Sequence, residues 1–111
     1  MNNKNLILQN INIRNKVLPS QLSQLKIDLE FSFEKNILEA GVINPGYFSY
    51  FLPILENYRL SNIITKYHIT EEQHTDGLTG KFIKIPVVDV FLPENSTSSI
   101  RIFIISESFL K

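Results

Sequence analysis

Leu25, Ile27, Leu29, Phe31 and Phe33 alternate with Lys26, Asp28, Glu30, Ser32 and Glu34. In an extended chain every second side chain falls on the same side, so this spacing predicts a half-buried strand over residues 25–34. One wet face favours an antiparallel sheet over a parallel sheet buried on both sides. Upstream, Ile7, Ile11 and Ile13 share a parity that Gln9 interrupts, which predicts a first strand over residues 5–14. Residues 16–24, with Pro19, then form a connection long enough for one short helical turn.

Downstream the period changes. Lys35 to Ala40 reads as a helical turn closed by Gly41, a residue suited to the position just past a helix. Asn44-Pro45-Gly46 then signals a helix start: the asparagine oxygen can accept an unpaired amide, and proline has none to lose. Phe48, Phe51, Leu52, Leu55 and Tyr58 continue at helical spacing, predicting a helix from about 45 to 60. Pro53 removes one backbone donor from it, so a disturbance is expected at residues 50–53: either the helix kinks there or Pro53 starts a second short helix.

Beyond Asn62, Ile63, Thr65, Tyr67 and Ile69 alternate with Ile64, Lys66 and His68, and β-branched residues dominate. A strand over 63–69 is expected, with a helix continuing to about 67 as its rival, and residues 71–80 read as a polar loop. Residues 81–92 and 100–106 are apolar at both parities and read as two strands of a hairpin, joined by a polar turn at 93–99. Pro86 disturbs the first of these, since proline in a sheet belongs at an edge or a bulge. The expected fold is a single α+β domain over residues 1–111: a five-stranded, mostly antiparallel sheet in the order β-β-α-β-β-β, with one kinked helix packed on one face. One helix is too little for both faces of such a sheet, so the other face needs either a curled sheet or another subunit.

Composition narrows the function classes. Eleven basic and eleven acidic residues leave no net charge, and the basic residues stand singly. Such a chain gains little from phosphate attraction, so nucleic acid is an unfavoured partner. There is no cysteine, which excludes disulfides, thiolate metal sites and cysteine nucleophiles. The opening residues lack a signal-peptide pattern, and no apolar run reaches the ~20 residues of a membrane span. A soluble cytoplasmic protein is expected, in which Asn95-Ser96-Thr97 is an ordinary polar turn.

The densest polar cluster is His68, Glu71, Glu72, His74 and Asp76. Such a cluster can place ligands on a metal or pair a histidine base with a carboxylate, and it can equally be a solvated loop. Asp28, Glu30 and Glu34 share one parity of the expected 25–34 strand and form its wet face. Phosphate-binding glycine loops and nucleophile elbows do not occur, and no cofactor is expected. Tyr47, Tyr50, Ile54 and Tyr58 lie off the helix's main apolar stripe, and tyrosine is a rigid, amphipathic contact residue. Together with Val88, Val90, Phe103 and Ile105 of the hairpin they form the expected partner-binding surface. The expected function is a non-enzymatic protein-interaction module: a self-assembling subunit, or a small accessory or inhibitor protein on a larger partner. The alternative is a small-ligand-binding or metal-dependent enzymatic domain using His68 to Asp76.

Overall fold

A computed structural model describes residues 18–40, 47–75, 80 and 82–105. A short 3-10 turn, Ser20–Leu22, leads into helix α1 (Ser23–Ala40), followed by helix α2 (Tyr47–Leu60). Three strands follow, β1 (Lys66–Thr75), β2 (Phe82–Leu92) and β3 (Asn95–Phe103), forming one antiparallel sheet in the order β1-β2-β3. The α+β class and the antiparallel sheet agree with the sequence; the five strands do not. The expected strand at 5–14 and the Asn44-Pro45-Gly46 start lie outside the described residues, as does Gly41.

The expected strand at 25–34 lies within α1. Two positions on, a helix has turned about 200°, and four positions on it has returned to nearly the same side. Leu25, Leu29 and Phe33 therefore satisfy both periods, and only Ile27 and Phe31 distinguish them. A strand buries all five; here Leu25, Leu29 and Phe33 are fully buried while Ile27 is 55% exposed and Phe31 71% exposed. Leu22 extends the buried stripe by one turn. Lys26 to Glu30, 2.7 Å, and Gln24 to Asp28, 2.8 Å, are further pairs at helical spacing. The stripe packs on Phe51 and Leu55 of α2, and the Phe33 and Phe51 rings lie 6.3 Å apart at a tilt of 50°. Each such burial stabilises by up to roughly 1.5–3 kcal/mol.

α2 runs from Tyr47 to Leu60 without a break, so the expected kink at Pro53 is not found. The proline ring is exposed and costs the helix one donor without dividing it. The helix ends in a Schellman turn: Asn62 takes φ 61°, its N–H donates to the Arg59 carbonyl, and the Ile63 N–H donates to the Tyr58 carbonyl, both at 3.0 Å. Asparagine tolerates this left-handed conformation better than most residues.

β1 begins later than expected and continues through Thr75, so residues 71–75 belong to the sheet rather than to a loop. β3 likewise begins at Asn95, close after the turn at residues 93–94. Pro86 lies on the central strand, where its missing donor needs a reason. Its carbonyl accepts from Ile104 N at 2.9 Å, just past the last ladder pair, Val87 with Phe103. In an antiparallel strand a residue's N–H and C=O point to the same side, so the absent N–H faces the place where β3 leaves the ladder.

The register sorts the sheet's two faces. Tyr67 and Ile69 stand beside Val90 and Val88, and those beside Ile100 and Ile102. This face is turned toward α2, because the Tyr67 hydroxyl donates to Glu56 Oε1 at 2.7 Å. The other face carries His68, Asp89 and Arg101 in one row and Thr70, Val87 and Phe103 in the next. β2 is buried on both faces from Ile85 through Val90, within the single chain.

Candidate functional site

The eight residues expected to meet a partner divide into three groups. The side chain of Tyr47 lies outside the described residues. Val88, Val90 and Phe103 are fully buried in the chain's own core, which leaves them no surface for a partner. Tyr50, Ile54, Tyr58 and Ile105 are half-buried and packed against that core. The helix tyrosines work along the α1–α2 seam. Tyr58 donates its hydroxyl to Asp28 Oδ2 at 2.7 Å, and the Tyr50 carbonyl faces Ser32 Oγ at 3.5 Å. Burial and the neighbouring Asp28 carboxylate push the Tyr58 hydroxyl up to about 12.

The acids expected on the wet face of a strand are helical instead. Asp28 is engaged by Tyr58 and Gln24, and Glu30 by Lys26. They do not line a cleft as a row. Two residues before Tyr58 on α2, Glu56 receives the Arg59 guanidinium at 2.8 Å and the Tyr67 hydroxyl. These donors, Arg59 foremost, hold its carboxyl down at about 2. Its hydrogen bond in turn raises Tyr67.

The histidine-containing stretch lies on β1. His68, Glu72 and His74 share the face turned away from α2, whereas Glu71 faces the opposite way, 3.7 Å from Lys84 Nζ; Asp76 is outside the described residues. Glu72 Oε1 comes within 2.8 Å of His74 Nε2, yet that nitrogen forms no hydrogen bond, so the approach is off the N–H direction. Arg101 connects this stretch to the hairpin. Its Nε reaches Asp89 Oδ1 at 3.0 Å, a second nitrogen reaches Oδ2 at 3.3 Å, and Glu72 stands 3.5 Å away. Asp89 is 9% exposed, and its carboxylate raises the Arg101 guanidinium above its ordinary value. A buried carboxylate needs such a partner. The arrangement ties three strands together. Among the described residues, no group of three or more histidines and carboxylates could hold a metal ion.

Two features stand outside the sequence-based expectations. The Asp89–Arg101 pair was legible in principle: Asp89 is the one acid of β2 and Arg101 the one charge of β3, and folding the chain at residues 93–94 sets them opposite one another. The other is the outer side of the helical layer. Ile27 and Phe31 lie one turn apart on α1, on the side opposite its buried stripe; Leu52 and Leu60 of α2 are also exposed, at 44% and 71%. The period-two pattern assigned Ile27 and Phe31 to a core, which concealed them as surface. Comparisons of the chain with protein-family models, curated proteins and solved structures find no match.

Proposed function

We propose that this chain is a non-enzymatic protein-interaction module, a self-assembling subunit or small accessory protein in a cytoplasmic setting, that docks through the outer side of its helical layer. The observation that carries this reading is the exposed pair Ile27 and Phe31. Single exposed apolar residues are ordinary, but a phenylalanine one helical turn from an isoleucine, both opposite the core, is an apolar stripe of the kind amphipathic partners cover. Zero net charge removes long-range repulsion between copies. The sheet no longer supports the reading, because β2 is buried on both faces within one chain.

Site-specific photo-crosslinking tests it. A photoreactive side chain at position 31 is expected to give an adduct of discrete mass in the protein's own cells, twice the chain mass for self-assembly and another mass for a larger partner. The same group at exposed Ser61 serves as the control. No adduct at 31, or equal adducts at 31 and 61, overturns the proposal.

A further inference from the structure

We draw no further inference here: the strongest candidate, the cluster of His68, Glu72, His74, Asp89 and Arg101 on the sheet face turned away from α2, has its two carboxylates already meeting Arg101, and its buried unpartnered atom, His74 Nε2, belongs to a side chain 23% exposed, so no second observation points to a ligand.

Discussion

Tyr58 and Asp28 join α2 to α1 through a side-chain hydrogen bond, and that contact is testable by itself. Replacing Tyr58 with Phe removes the bond and is expected to cost about 1 kcal/mol in thermal or denaturant unfolding. Tyrosinate absorbance reports the same contact: one tyrosine is expected to ionise near 12 in the folded protein, and that late step is lost in Tyr58→Phe. Glu56 gives the acid-side counterpart. Its folded carboxyl sits at about 2 against an ordinary 4.5, so the folded state takes up this proton later than the unfolded state. The contribution is therefore complete above about 4.5 and lost as pH falls toward 2. Denaturant midpoints measured across that window are expected to fall less steeply in Glu56→Gln than in the native chain. For the sheet, Arg101→Ala leaves the carboxylate of Asp89 nearly buried without its main partner. Chemical denaturation is expected to show a loss of about 1–3 kcal/mol, reduced in the double variant with Asp89→Ala.

Among the elements, legibility depended on whether two periods could be told apart. The hairpin was legible from apolar runs on either side of a polar turn, although the turn proved tighter and β3 longer than composition suggested. α2 was legible from Phe51, Leu55 and Tyr58. α1 was not, because Leu25, Leu29 and Phe33 fit a strand and a helix equally; packing against Phe51 and Leu55 decides between them, and a single sequence does not display packing. The far end of β1 was not legible because Glu71 to His74 look like loop residues, whereas an edge strand among the described residues can carry charge on both faces. Pro53, where proline's missing donor predicts a disturbance, lies in an unbroken helix. Its removal is an element-scale test: Pro53→Ala restores one backbone donor at an exposed site, and thermal unfolding is expected to rise by the equivalent of about 1–3 kcal/mol. A drop in stability would mean that the proline ring packs where the structure leaves it exposed.

At the scale of the whole molecule, the helical layer has two distinct sides. One side, with Leu22, Leu25, Leu29 and Phe33, joins the core shared with α2 and the sheet; the other, with Ile27 and Phe31, remains at the surface. The expected partner surface combines the helix residues Tyr47, Tyr50, Ile54 and Tyr58 with Val88, Val90, Phe103 and Ile105 of the hairpin, because one helix is too little to cover five strands. With two helices and three described strands that shortage disappears, and the unmatched apolar surface moves to α1. Both the fold and the proposed docking side rest on this division, so the most direct test compares two neighbours of opposite assignment. Leu29→Ala and Phe31→Ala are unfolded by denaturant at a concentration where sedimentation shows one species. Leu29→Ala is expected to lose about 2–5 kcal/mol, and Phe31→Ala to stay within about 0.5 kcal/mol of the native chain. Large and similar losses in both would contradict the account, since that is the signature of a strand with Leu29 and Phe31 buried on one face.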